Sequence, residues 1–121
     1  MEEQEKALIE NIKEFYNNGL EAEKKFQYNT AITLFFKALA VLGDLYIFRK
    51  ERRIPNSHAE RFRILEEKYL DIYRLLDKDF LFYQNSYRIK LNKESCEVLR
   101  KDVEQLLRIL KVWKQKVLKR T

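Results

Sequence analysis

Apolar residues return every three or four positions through most of this chain, the spacing that gathers them on one face of a helix. The first run is Leu8, Ile12, Phe15, Gly19, Ala22 and Phe26, and it predicts a helix over residues 3–26. Gly19 lowers helix propensity but lets a neighbour come close. Asn29 or Thr30 can cap a second helix, which runs to about residue 49. From residue 31 to 48 it is apolar on nearly every face, with Lys37 and Asp44 as the exceptions. The third helix has the clearest start. Pro55 stops any helix arriving from upstream, and Ser57 stands three residues before Glu60 in a capping-box pattern, Ser-His-Ala-Glu. The stripe Phe62, Leu65, Tyr69, Ile72 and Leu76 carries it to about residue 78. Residues 79–92 hold Phe80, Leu81, Phe82 and Tyr83 without a clear period, so they either extend the third helix or pack over the others as a loop. Asn92 caps the last helix, whose stripe is Leu99, Val103, Leu106, Leu110, Trp113 and Val117, running to the end of the chain.

Amphipathic helices with short connections predict one all-α domain over residues 1–121, a four-helix up-down bundle, with a short extra helical segment between helices 3 and 4 left open. Only two glycines and one proline interrupt the 121 residues, which fits long helices. The second helix is long enough to span a membrane. Two charges in the middle of such a span would each cost about 2.5–3.5 kcal/mol. The other helices need something to pack on, so a helix apolar all round is read as buried on two sides. The second side can be a dimer interface, with Phe35, Phe36, Leu39, Leu42, Tyr46 and Phe48 shared between it and the core. Residues 26–39 also look like one tetratricopeptide unit, but no second copy follows at the required period.

Hydrophobic residues at 45% and charged residues at 36% describe a folded, soluble protein with a heavily charged surface. Cys96 is the single cysteine, which excludes an intramolecular disulfide and a cysteine-based zinc site. The acidic first residues lack the basic-then-apolar run of a secretion signal, and a reducing cytoplasm is expected. The net charge of +6 is concentrated at one place: Arg108, Lys111, Lys114, Lys116, Lys119 and Arg120 stand without an acid, and the rest balances at 19 charges of each sign. That run either complements the dipole at the end of the last helix or is an electrostatic footprint for nucleic acid or a membrane surface.

Three features carry a family resemblance. Gly-Leu-Glu-Ala-Glu-Lys-Lys-Phe (19–26) leads into Tyr-Asn-Thr-Ala-Ile-Thr-Leu-Phe-Phe-Lys-Ala-Leu (28–39). Ile-Pro-Asn-Ser-His-Ala-Glu-Arg-Phe (54–62) opens the third helix, and Tyr87-Arg88 precede the last. In this order and spacing they resemble the HEPN domain, named for nucleotide binding in higher eukaryotes and prokaryotes. The resemblance implies a helical homodimer that binds a nucleotide or RNA, no cofactor, and partnership with a minimal nucleotidyltransferase in a toxin–antitoxin pair. It also implies that active members are metal-independent ribonucleases with an Arg-x(4–6)-His motif completed across the dimer, while members without the motif are binding modules.

His58 is the only histidine, and its position in the first turn of helix 3 makes it the candidate for chemistry. The helix dipole there favours a neutral ring, which can serve as a general base near pH 7. The same helix end offers free backbone N–H groups for an anion. Arg53 and His58 fit Arg-x4-His: His58 would take a ribose 2′-hydroxyl proton and Arg53 would stabilise the phosphorane. Arg52, Ser57, Arg61, Tyr87 and Arg88 complete the candidate phosphate pocket. Ile54 follows Arg53 where active family members carry a polar residue, and the motif stands before helix 3 where theirs lies nearer the last helix. Three readings therefore stand side by side: a ribonuclease, a nucleotide- or RNA-binding module, and a purely structural protein-interaction module. No metal-ligand set or glycine-rich phosphate loop is present in the sequence.

Overall fold

The structure is a computed structural model that describes residues 2–112. Among them it is all-helical, with α1 (Glu3–Lys24), α2 (Tyr28–Glu51), α3 (His58–Lys68), α4 (Leu70–Asn85) and α5 (Lys93–Ile109).

α1 buries Leu8, Ile12, Tyr16, Gly19 and Ala22, the stripe anticipated from its spacing except that Tyr16 takes the inward place expected of Phe15, which is only partly buried, and that the end differs. Phe26 lies beyond the helix, 77% exposed, with a positive φ of 61°. The close approach at Gly19 is real: a Cβ there would stand 2.5 Å from the Phe35 ring. Contacts at both ends make α1 antiparallel to α2, since Gly19 meets Phe35 and Glu5 accepts from Arg49 Nε at 2.7 Å.

α2 is the hub, packed against α1, α3, α4 and α5. By length and composition it could cross a membrane, but 72% of its most apolar window is buried within the chain, as for the core helix of a soluble protein. The dimer surface anticipated on α2 is therefore corrected. Phe35, Phe36, Leu39, Leu42 and Phe48 are at most 1% exposed inside one chain, leaving only Tyr46 partly open. Neither Asn29 nor Thr30 caps this helix; its N-cap is Gln27, without a side-chain bond. The Asn29 amide is drawn away by the α4–α5 connection. Its Nδ2 donates to Ser86 O at 2.9 Å and Ile89 O at 2.6 Å, and its Oδ1 accepts from Leu91 N at 2.9 Å.

α3 starts as its pattern requires, with Ser57 Oγ accepting from Glu60 N at 3.1 Å. Glu60 Oε1 reaches back to Asn56 N at 2.6 Å, one residue beyond the usual partner. The helix expected to run to residue 78 is instead broken at Tyr69, whose φ of −135° and ψ of 65° leave the helical region. Glu51 fixes that break: Tyr69 Oη donates to it at 2.7 Å and Lys68 Nζ at 3.2 Å. α4 then absorbs residues 79–85 and runs back along α2. Leu76 lies over Gly43, and Phe80 and Tyr83 pack on Phe36 at 5.5 and 4.8 Å between ring centroids.

α5 is capped by Asn92, which accepts from Ser95 N at 2.9 Å, and buries Cys96, Leu99, Val103, Leu106 and Leu107. It lies antiparallel to α1, joined by Arg100 to Glu23 at 3.0 Å and Tyr16 to Glu104 at 2.7 Å. The helix ends at Ile109, short of the anticipated continuation, and Lys111 takes a positive φ of 60°. Trp113, Val117, Lys114, Lys116, Lys119 and Arg120 lie outside the described residues. Cys96 is fully buried, and burial pushes its thiol up to about 12.

Candidate functional site

The cap at Ser57 sets His58 as the first residue of α3, and three positions on, Arg61 falls on the same helical face. Arg61 is held from below by α2. Its Nε and Nη2 donate to the two oxygens of Asp44 at 2.7 and 3.0 Å, a forked pair with both side chains mostly buried. Its Nη1 lies 2.6 Å from His58 Nδ1. A guanidinium has no acceptor, so Nδ1 accepts and the ring proton sits on Nε2. The His58 pKa is lowered, by burial first and by the Arg61 charge second, with Asp44 opposing. Burial and the Arg61 charge, and not the helix dipole alone invoked from the sequence, are the causes that favour the neutral ring.

This order of groups differs from a catalytic relay, in which a carboxylate accepts from one imidazole nitrogen and leaves the other free to take a proton. Here the carboxylate grips an arginine, and the arginine occupies the imidazole's lone pair. What His58 can offer a ligand is an N–H donor at Nε2.

The other sequence-derived residues are dispersed. Arg53 turns to Glu51, with Nε at 3.1 Å, and to Glu60 at 3.9 Å. Arg52 closes α2 in a left-handed conformation, lies 4.7 Å over the Phe48 ring and pairs with Glu2. Ser57 Oγ is engaged by the first turn of α3. Tyr87 reaches the corner indirectly: its Oη donates to Tyr83 Oη at 3.1 Å, and the Tyr83 ring lies 6.5 Å from His58. Arg88 follows on the exposed α4–α5 connection.

Beside His58 opens a groove of about 200 Å³ with an apolar lining from Phe15, Phe36, Val41 and Tyr83. Lys37 stands exposed at its edge, and Arg61 closes one side. Lys37, Asp44, Phe15 and Tyr83 were not among the residues singled out for chemistry. The signal for the first two was present, because they are the two charges interrupting α2's apolar run, seven residues and thus two helical turns apart. Among the described residues no three or more His, Cys, Asp or Glu side chains cluster as a metal site.

In comparisons with known proteins, no family model, no curated protein and no solved structure matches this chain.

Proposed function

We propose that the chain is a nucleotide-binding domain of the HEPN type that acts by binding and not by cleaving RNA. The observation that carries this reading is the 2.6 Å contact from Arg61 to His58 Nδ1, with Arg61 anchored on Asp44. It leaves His58 as a fixed donor at the rim of an aromatic-lined groove. A nucleobase fits the physical demands of that groove. Rings from Phe36 and Tyr83 supply apolar contact, Nε2–H can donate to a base nitrogen or carbonyl, and Lys37 is free in charge for a phosphate. For His58 to act as a general base it would first have to break its bond to a cation, which disfavours proton uptake. Supporting the fold side of the proposal, α1, α2, α4 and α5 run in alternating directions, as an up-down bundle does, with α3 as an added short helix.

The homodimer, the minimal nucleotidyltransferase partner, the toxin–antitoxin role and the cytoplasmic location belong to the same HEPN proposal. Because α2 is covered within the chain, such a dimer must use another face.

The test pairs binding with cleavage. Mononucleotides titrated into labelled protein should shift the amide signals of α3's first turn and of Lys37, and His58→Ala should weaken that binding. Single-stranded RNA incubated without metal should remain intact. His58-dependent cleavage would overturn the binding-only reading in favour of the ribonuclease, and a titration with no shifts would remove the groove as the site.

A further inference from the structure

From Lys24 to Gly43 and from Phe80 to Lys93 the chain has no acidic residue, while these two stretches hold Lys24, Lys25, Lys37, Arg88, Lys90 and Lys93. The fold brings them together. Asn29, at the start of α2, binds three backbone groups of the 86–91 connection and so fixes it against the α1–α2 turn. The joined end carries the most exposed large apolar side chains among the described residues, Phe26 at 77% and Tyr87 at 69%. Of the bordering acids, Glu23 is engaged by Arg100, Glu21 faces Lys24 at 3.5 Å, and Glu94 stands exposed beside Lys93.

Phe26 is the residue that folding explains least. It follows α1 in a helix-ending turn, with Gln27 N bonded to Ala22 O at 3.0 Å and Phe26 N to Glu23 O at 3.0 Å. That motif places its left-handed residue where glycine is favoured, and a bulky side chain there is disfavoured. This position has a phenylalanine instead, held in the strained conformation with its ring in solvent. The turn sets the backbone conformation, but the exposed ring supports no core and is left free to meet a partner.

The rings also continue inward. Phe26 meets Tyr28 at 6.4 Å, and Lys90 lines the same hollow as these two rings. Tyr87 lies edge-on to Tyr83 at 5.6 Å, and Tyr83 borders the His58 groove. Exposed rings interleaved with cations, with no acid inside either stretch, are the kind of surface that single-stranded nucleic acids use, stacking bases on the rings and laying phosphates along the cations.

We propose that the ligand is a single-stranded nucleic acid that enters the groove with one base and continues past Tyr83 and Tyr87 onto the end surface formed by Phe26, Arg88 and Lys90. This rests on the nucleotide reading for the groove but not for the end surface. An anionic membrane is the competing partner for a basic, apolar patch. The rings' continuity from the end surface into the concave His58 groove favours a threaded polymer over a lipid plane.

Fluorescence anisotropy with labelled 12-nucleotide oligo(U) and oligo(dT), beside titration with uridine monophosphate, tests this. The oligomers should bind at least about tenfold tighter than the mononucleotide, and rising KCl should weaken them. Phe26→Gly should keep or raise the melting temperature yet weaken oligomer binding roughly 5- to 150-fold, leaving mononucleotide binding unchanged. Lys90→Glu should act in the same sense. Oligomers no tighter than the mononucleotide, or unaffected by both substitutions, overturn the proposal while the groove reading stands. Oligomer binding that depends on Phe26 without any mononucleotide binding keeps the end surface and removes the groove. Sedimentation with phosphatidylserine vesicles and no oligomer binding overturns it in favour of a membrane.

Discussion

Asp79 is the least comfortable side chain in the described chain. It is fully buried, and neither carboxyl oxygen has a hydrogen-bond partner. Lys78 Nζ stands 3.7 Å from Oδ1 and bonds Asp102 across the α4–α5 seam at 3.0 Å. A protonated carboxyl relieves the conflict, because it can donate towards Asp102. Burial first, then Asp102, raises its pKa from 3.8 to about 9. The unfolded chain loses this proton near 3.8, so the contribution of the neutral group is fully present below that pH and is lost as pH rises towards about 9. Asp79→Asn, which mimics the neutral form, should gain stability over wild type as pH rises from 5 to 8, by about 1–3 kcal/mol, read from urea unfolding. Equal gains at both pH values would mean that Asp79 is charged throughout. Gly19 gives a second prediction at this scale. Alanine improves helix propensity by about 1 kcal/mol, yet its Cβ meets a fully buried Phe35 ring, so Gly19→Ala should be destabilising, with overpacking that costs about 1–3 kcal/mol prevailing. Thermal melting decides the sign.

Between elements, the Arg61–Asp44 pair ties α3 to α2 where few other contacts do. Removing one partner of a buried pair leaves an uncompensated charge, so Arg61→Ala should cost about 3–5 kcal/mol. The double change Asp44→Leu with Arg61→Met should recover most of that loss, since apolar replacement of both partners is often neutral. Failure of the double variant to recover would show that the forked geometry itself is needed. How far each element could be read in advance follows from where its signal lies. The start of α3 is local, Ser57 and Glu60 within one turn, and so are the cap at Asn92 and the stripe of α5. The break at Tyr69 is not local. Leu65, Tyr69, Ile72 and Leu76 keep helical spacing straight through it, and the break answers to Glu51 on another helix. Asn29 misled for the same reason: an amide suited to capping is claimed by a loop about sixty residues away in sequence. At the site, the place of His58 in the first turn of α3 was legible, but the groups that lower its pKa were not. Arg53 matches a motif spacing, whereas Arg61 shares its helical face, and the deciding carboxylate comes from α2.

The whole molecule is organised around one helix that touches every other. Such an arrangement leaves no separable half, since loss of any helix uncovers α2. Far-UV circular dichroism and tyrosine fluorescence should therefore trace one coincident unfolding curve in urea. Separate midpoints would show that part of the chain folds independently of α2.

Cys96 turns this architecture into a clock. A thiol sealed on the inner face of α5 and shifted to about 12 has almost no thiolate to offer a reagent at neutral pH. Alkylation of the native protein must wait for the chain to open, so the rate at which an iodoacetamide adduct accumulates counts openings of the fold. A second cysteine introduced at the surface would then accept a dye on its own, with the native thiol silent beneath it.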